Sequence, residues 1–559
     1  MKEIYIELME KALMAYTDEH ILRYLDDVKT NGLTEHGFPR LTANIGILLA
    51  HERRIDLLPI FIEMMDVCCD TFLRPGVHAA NEFSVREIVC CIIEVESAKV
   101  IEYETISRWK KKISEIIAEE CYDRIVKSET DCITNWALFG AASEYARIHF
   151  GLGGNPEFVD RQISCQLKWF DENGMYCDHY QEPIHQPIVY DFCSRGLLAL
   201  MLHLGYRGKY YQQIDNLLKR SGILTLKMQS STGEIPFGGR SNQFLHNEAW
   251  MMLLFEYEAQ RYAREGNNNL AMTFKAAVIR ALDVTESWLD KRPIRHIKNR
   301  FPTETKYGCE DYAYFDKYMI TAASNLYVAY LVCDDSIPAS LTSTCDLVAF
   351  QTSASFHKLF LRSCGYALEF DLDADPHYDA NGLGRVQREG APSALCLSSP
   401  CPADPKYFVD IKTPVPLSLC SAICVNGEWL LGAENRYEIS VCDVTKTRAS
   451  ATLVCHFPNE KTVKEMYALD ENGVKVNVEG EGILGFALPV FAFDGEKNTE
   501  ISVDRHSLTV AYDQWICKYT SNGTITNLNR LAANRNGYYH TYLAENRNDL
   551  TVTIELFMI

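Results

Sequence analysis

The chain has 559 residues, which is more than a single hydrophobic core usually organises, so we expect two or three domains. Apolar residues make up 47% of it and charged residues 23%, a balance typical of globular proteins that excludes wholesale disorder. The 55 basic side chains are outnumbered by 75 acidic ones. Phosphate backbones would repel the resulting net charge of −20, so nucleic acid is not an expected partner.

The cysteines and the N-terminal segment indicate a reducing compartment. Cys68 and Cys69, like Cys90 and Cys91, are adjacent pairs inside apolar, helix-like stretches, and the chain has no CxxC spacing. Such cysteines typically act as small buried hydrophobic residues in a reducing compartment. Because paired ligands at short spacing are lacking, a structural zinc site is not expected. The N-terminal segment carries acidic residues early, unlike a signal peptide, and no uncharged run approaches the ~18 residues of a membrane span. We therefore expect a cytoplasmic protein without a metal or a membrane partner.

Residues 1–335 carry the apolar period of helices. Segments such as SVREIVCCIIEVES and NEAWMMLLFEYEAQRYAREG place apolar residues at i, i+3, i+4 and i+7, and Gly, Pro and Asn separate them. We count roughly ten to twelve helices, about two for every 50–60 residues. Helical hairpins at this spacing predict a closed or curved α/α array rather than a four-helix bundle.

The pattern changes at residues 336–347, which we interpret as a linker. Beyond them come short β-prone runs such as YALEFDL, GVKVNVEG and SLTVAYD, separated by turn signals that include Asn-Gly pairs. These runs predict an antiparallel β-sandwich over residues 348–559. The expected fold is therefore α+β and multidomain, with helices over residues 1–335 followed by a C-terminal antiparallel β-sandwich.

Two polar clusters in the helical part contain candidate functional residues. Asn135 and Trp136 begin an otherwise small and apolar helix, where they predict either a helix cap with a buried indole or an amide and an aromatic platform facing a sugar. The second cluster precedes a wholly apolar helix, and core packing does not explain its imidazoles and carboxylates. Its members are Asp178, His179, Glu182, His185, Tyr190, Asp191 and Arg195. Asp191 and Arg195 are spaced i, i+4, so they can pair on one helix face.

Three further clusters complete the candidates. In STGEIPFGGRSNQFLHNEAW, Arg240 follows a Gly-Gly pair at a helix entrance, where a guanidinium beside helix-start N–H groups makes a carboxylate or phosphate receptor. That run also contains Asn242, His246 and Glu248. Before the last helix stand Tyr307, Glu310, Asp311, Tyr312 and Tyr314, a set that suits either a core or a carbohydrate. Near the start of the sheet region stand His377, Tyr378, Asp379 and Arg385, which form a polar turn or reach back over the helical pocket.

Several cofactor chemistries lack their motifs. The chain contains no GxxxxGK[ST], HExxH or GxSxG, and no GxGxxG that follows a strand. The remaining pocket of carboxylates, imidazoles, tyrosines and arginines needs no cofactor and suits hydrolysis or elimination by acid–base catalysis. A helical scaffold or sugar-binding module is the non-enzymatic alternative, and it predicts aromatic rings along a groove without convergent acids and imidazoles.

Two runs carry a family resemblance. GGRSNQFLHNEA and NGMYCDHYQEPIHQPIVYD resemble glycoside hydrolase family 154, the β-glucuronidase family, and DPHYDANGLGRVQREG extends the likeness to the sheet region. The order of helices and sandwich also resembles heparinase-like and hyaluronate-lyase-like polysaccharide lyases, which implies an (α/α)6-type toroid over residues 1–335 that carries the catalytic site. The resemblance implies an exo-acting hydrolase that removes terminal β-glucuronic acid from oligosaccharides, with no cofactor. A homo-oligomer is also compatible with the chain.

Two mechanisms stay open from the residues. Hydrolysis needs one carboxyl as acid and a second as base or nucleophile, and the candidates are Asp178, Glu182, Asp191, Glu248, Glu310 and Asp311. Elimination from a uronate needs His179, His185 or Tyr190 for proton transfer. The expected substrate-binding residues are Asn135, Trp136, Arg195, Arg240, Asn242, His246, Tyr312, His377, Tyr378 and Arg385. We place hydrolysis first, because nothing signals export and toroid lyases often carry a second Asn or a His where this chain has Trp136.

Overall fold

The computed structural model describes residues 1–77, 79–128, 131–178, 184–340, 347–445, 447–458 and 460–559. Within these ranges α-helices come first and β-strands second, so the predicted fold class is confirmed. The helices are α1 (Lys2–Leu13), α2 (Asp18–Asn31), α3 (Gly37–Ala50), α4 (Leu58–Thr71), α5 (Val85–Ala98), α6 (Tyr103–Ser114), α7 (Ala118–Cys121), α8 (Trp136–His149), α9 (Pro156–Gln166), α10 (Ile188–His203), α11 (Tyr211–Met228), α12 (Asn247–Arg264), α13 (Asn268–Leu289) and α14 (Phe315–Val332).

Six helices form a closed inner ring. Helix α3 contacts α5, and the ring continues through α8, α10, α12 and α14 back to α3, while α1, α4, α6, α9, α11 and α13 pack outside it. Inner helices are buried almost all round, and α10 is apolar over most of its length for this reason. Outer helices bury one stripe, as α6 does with Ile106, Trp109 and Ile113. Close packing fixes Gly46 in α3, because a Cβ there would lie 2.3 Å from the Cys91 sulfur.

The strands of the second region form two antiparallel sheets. They are β1 (Val348–Gln351), β2 (Lys358–Ser363), β3 (Tyr366–Asp371), β4 (Gly382–Arg388), β5 (Cys420–Val425), β6 (Glu428–Leu431), β7 (Tyr437–Val444), β8 (Ala449–His456), β9 (Thr462–Asp470), β10 (Gly473–Phe493), β11 (Glu500–Val503), β12 (Ser507–Tyr512), β13 (Trp515–Ser521), β14 (Thr524–Asn534) and β15 (Gly537–Met558).

The two sheets pack face to face over one apolar core. Strands β1 to β4 form the smaller sheet in chain order, and the larger sheet runs β11-β12-β13-β15-β10-β9-β8-β7, with β14 on β15, β5 on β10 and β6 on β5. Leu359, Leu361 and Phe370 of the smaller sheet share a core with Tyr467 and Val476 of the larger one. This arrangement is the predicted β-sandwich.

The sandwich is hydrogen-bonded to one end of the helical ring. Arg362 donates to the Gln229 carbonyl at 2.8 Å, and Arg385 donates to the Ile235 carbonyl at 2.8 Å. The segment between α11 and α12 thus lies under the smaller sheet, so side chains of both regions meet there. No helix in the described ranges is long and apolar enough to cross a membrane.

Candidate active site

A cavity opens at the centre of the helical ring, where the inner helices begin. Helix starts supply most of its wall because the loops before α3, α8, α10 and α12 all end at this face. The lining residues are His36, Arg40, Phe83, Asn135, Phe139, Val189, Tyr190, Cys193, Ser241, His246, Trp250, Tyr318, Thr321 and Asn325. Three residues predicted from the sequence, Asn135, Tyr190 and His246, therefore share one cavity.

A phenol and a guanidinium are joined at this cavity. Tyr190 lies in the first turn of α10, and its hydroxyl accepts a hydrogen bond of 3.0 Å from Arg240 Nε, while the Arg240 guanidinium stands 5.0 Å from the ring centre. Ser241 Oγ shares hydrogen bonds with the hydroxyls of Tyr190, at 2.9 Å, and Tyr312, at 2.6 Å. Burial raises the pKa of Tyr190, and Arg240 and Ser241 offset part of that rise. Tyr190 is therefore a protonated phenol at neutral pH.

Asn135 on the cavity wall is hydrogen-bonded to a carboxylate and to Cys193, which also lines the cavity. The backbone N–H of Asn135 donates to Asp178 Oδ1 at 2.8 Å, and its side-chain amide donates to the Cys193 sulfur at 3.4 Å. Sulfur is a weak acceptor, so the amide can turn to a stronger one. Trp136 is half-buried beside the site, with the Arg124 guanidinium 4.3 Å from its ring centre. Its position fits the buried-indole interpretation better than a platform.

Two imidazoles at the cavity are neutral. Burial lowers the pKa of His246 to about 3, with Arg40 contributing further, and the same two causes hold the pKa of His36 well below its usual range. Arg40 itself pairs with Glu87 at 3.1 Å. Within the described ranges His246 Nδ1 has no hydrogen-bond partner. A neutral imidazole has one unprotonated ring nitrogen, which can accept a proton.

Three predicted catalytic carboxylates lie in buried ion pairs. Asp191 accepts from Arg195 Nε at 2.7 Å, and both side chains are fully buried, so the i, i+4 pair forms inside the scaffold. Glu248 pairs with Lys298 at 2.5 Å.

Glu310 accepts from Arg535 Nη2 at 2.7 Å and from the Ser241 N–H at 2.7 Å. Glu310 thereby positions Ser241 beside Tyr190. The buried pairs of Asp191 with Arg195 and of Glu248 with Lys298 fit structural roles. Asp311 is exposed to solvent.

The remaining predicted binding residues are dispersed. Asn242 is buried and donates to the Pro236 carbonyl at 3.1 Å, which shapes the turn before α12. Arg385 is buried in the domain contact, where it donates to Ser398, Ile235 and Glu369. His377 bonds to Asp404, away from the cavity lining. Tyr378 faces Arg535, whose guanidinium lies 6.0 Å from its ring centre.

A histidine pair joins the loop before α10 to the sheet domain. His185 packs edge-on against His357, with ring centres 5.3 Å apart, and His357 Nδ1 bonds to Asp371 at 2.5 Å. Neither Nε2 atom has a hydrogen-bond partner in the part of the chain that the structure describes. His179 and Glu182, the other predicted members of this cluster, lie outside the described residues.

Sequence reasoning missed several residues of the site. His36 and Arg40 are spaced i, i+4 at the start of the otherwise apolar helix α3, a signal that could have found them. His357 and Arg535 come from the sheet domain, and no local pattern connects them with the helical part. Across the described ranges, no group of three or more His, Cys, Asp or Glu side chains could hold a metal ion.

Comparisons with known proteins give distant likenesses. A mutant of heparan sulfate lyase HepC from Pedobacter heparinus is 10% identical, covers 94% of this chain and 76% of its own, and has a TM-score of 0.48. A glycosyl hydrolase family 88 protein from Bacteroides vulgatus is 12% identical over 59% of this chain and 99% of its own, with a TM-score of 0.39. A GH127 β-L-arabinofuranosidase from Geobacillus stearothermophilus T6 is 10% identical over 100% of this chain and 80% of its own, with a TM-score of 0.34. No family model and no curated protein matches the sequence.

Proposed function

We propose that the chain is a carbohydrate-active enzyme that cleaves uronic-acid-containing oligosaccharides at the central cavity by β-elimination. The observation that carries this proposal is the Tyr190 phenol, protonated by burial and hydrogen-bonded to Arg240 at 3.0 Å. A positioned phenol can give its proton to a leaving oxygen. The adjacent guanidinium can pair with a sugar carboxylate, as the sequence also predicts.

Each step of the elimination has a residue on the cavity wall or, in the case of Arg240, hydrogen-bonded to that wall. Arg240 neutralises the uronate carboxylate and the amide of Asn135 hydrogen-bonds to it, which makes the C5 proton more acidic. His246, which lines the cavity, accepts that proton. The C5–H electron pair forms the C4–C5 double bond, the bond from C4 to the glycosidic oxygen breaks, and Tyr190 protonates the departing oxygen. A bound carboxylate raises the pKa of a neighbouring imidazole, which improves His246 as a base.

Hydrolysis of a terminal β-glucuronide, as in glycoside hydrolase family 154, is the second candidate. Asp178 favours it, because this buried carboxylate bonds to Asn135 at the cavity and its charge acts on Tyr190 and Arg240. Hydrolysis needs a second carboxyl on the other side of the glycosidic bond. Glu182 is the candidate for that role and lies outside the described residues.

The two reactions give different products, which makes them separable in one experiment. We expect incubation with uronate oligosaccharides to raise the ultraviolet absorbance of a conjugated C4–C5 double bond. p-Nitrophenyl β-glucuronide has no leaving group at C4, so elimination cannot release nitrophenol from it and only hydrolysis can. Release of nitrophenol without an absorbance rise on oligosaccharides would replace elimination by hydrolysis, and neither signal on a panel of uronides would reject both.

A further inference from the structure

A second cavity of about 460 Å³ lies between the helical ring and the sandwich. The end of α13 and Lys291 form one side, and residues 390–394 and Tyr512 of the sandwich form the other. Its size is that of pockets that enclose small ligands. It shares no lining residue with the cavity at Tyr190. The segment 241–243 separates the two, because Ser241 lines the central cavity and Gln243 lines this one.

Within the described ranges, the charged residues on the walls of the second cavity pair with other protein groups, except for Asp283 and Lys291. Glu234 accepts hydrogen bonds of 2.6 Å from Ser393 and from Gln387. Lys298 pairs with Glu248, which lies outside the cavity lining. Arg300 pairs with Asp494 at 3.5 Å and with Glu496 at 2.5 Å.

Lys291 differs from these groups. Its ammonium lies over the Trp288 ring, 3.2 Å from the ring centre, and no carboxylate of the described ranges hydrogen-bonds to it. Both residues line the cavity. The charge of a half-buried ammonium that pairs with no carboxylate is only partly compensated by the face of an aromatic ring. Such an ammonium can therefore bind an anion.

We propose that this cavity binds a sugar-sized ligand that bears an oxyanion, either a carboxylate or a phosphate, with the anion on Lys291. The hydroxyl oxygen of Ser393 donates its proton to Glu234 and can still accept a hydrogen bond from a hydroxyl group of such a ligand. Trp288 supplies an aromatic wall beside the anion. The site is independent of the reaction at Tyr190, so its test does not depend on the proposed catalysis.

Acetylation of lysines by a limiting reagent, read peptide by peptide by mass spectrometry, tests the site directly. We expect glucuronate or glucose 6-phosphate to slow acetylation of Lys291 in the full chain, and glucose to have no effect. The two anions separate a carboxylate ligand from a phosphate ligand. Lys209 is the internal control, because its ammonium also lies over a ring, 5.1 Å from the centre of Tyr210, but is exposed to solvent. Equal acetylation of Lys291 with and without both anions would overturn the proposal.

Substitution of Lys291 gives the second test. We expect Lys291→Met to weaken binding of the protecting anion by at least about tenfold, because the substitution removes one hydrogen bond to a charged group. Titration calorimetry measures this affinity. Lys291→Arg should retain most of the affinity, and Lys209→Met should bind as the unaltered chain does. Cleavage at the central cavity should be unchanged in all three variants. An affinity unaltered in Lys291→Met would overturn the proposal, since the anion would then bind elsewhere.

The affinity should also depend on pH. Burial lowers the pKa of Lys291 to about 8, with Arg300 adding to the decrease and Glu234, Asp513 and Asp494 opposing it. The ammonium is therefore present below pH 8 and is lost above it, so anion binding should weaken as the pH rises through about 8. In Lys291→Arg the guanidinium keeps its charge, and this decrease should disappear. If anion binding by Lys291→Arg weakened over the same pH range, the pH dependence would come from a group other than Lys291.

Discussion

Replacement of Tyr190 by Phe should lower the turnover number by roughly 10²–10⁴-fold, the usual contribution of a positioned acid or base. The change removes one hydroxyl and keeps the ring, so the packing of α10 is preserved. What is lost is the proton that the leaving oxygen takes, together with the hydrogen bonds to Ser241 and Arg240. Steady-state kinetics on the cleaved oligosaccharide measure the effect, which should appear in kcat far more than in KM.

Tyr16→Phe is the matched control for this experiment. Tyr16 is also buried in the helical ring, and its hydroxyl bonds to the Asp316 carbonyl at 3.1 Å, away from the cavity. The same deletion there should leave kcat unchanged, whatever it does to stability. If Tyr190→Phe kept most of its kcat while it remained folded by circular dichroism, Tyr190 would not be the proton donor.

The fold could be predicted because its signals are local. The change from helical to strand period lies near residues 336–347, and in the structure α14 ends at Val332 and β1 begins at Val348. Asn135 and Tyr190 could be found in the same way, since each is a polar residue at the start of a helix that is otherwise buried. The helix entrance predicted at Arg240 is wrong, because α12 begins only at Asn247. The i, i+4 spacing of Asp191 and Arg195 predicted their pairing, and the structure forms that pair.

The assignment of the other carboxylates needed information that the sequence does not carry locally. Glu248 pairs with Lys298, 50 positions away, and Glu310 pairs with Arg535, 225 positions away. A buried carboxylate with a distant partner has the same local pattern as a catalytic one. Only the closing of the ring and the docking of the sandwich bring these partners together.

The buried pair of Asp191 and Arg195 leads to the second large expected effect. Arg195→Met should destabilise the helical domain by about 3–5 kcal/mol, because it leaves a carboxylate buried without its counterion. Arg195 also donates to Thr225 at 2.7 Å, and Asp191 accepts from the Tyr176 N–H at 2.7 Å, so the pair joins two helices and a loop. Urea denaturation, monitored by circular dichroism, measures this decrease in the free energy of unfolding.

Two variants separate this structural role from substrate binding. Asp191→Asn combined with Arg195→Met removes both charges while an amide oxygen still accepts from Tyr176, so much of the lost stability should return. Arg108→Met removes a half-exposed guanidinium paired with Asp66 at 3.0 Å. Because solvent screens this pair, the substitution should lower the free energy of unfolding by about 1 kcal/mol or less. If Arg195 instead held the carboxylate of the substrate, Arg195→Met would raise KM for uronides and leave the denaturation midpoint unchanged. Full burial of Arg195 predicts the opposite, a lower midpoint and, in the molecules that remain folded, an unaltered KM.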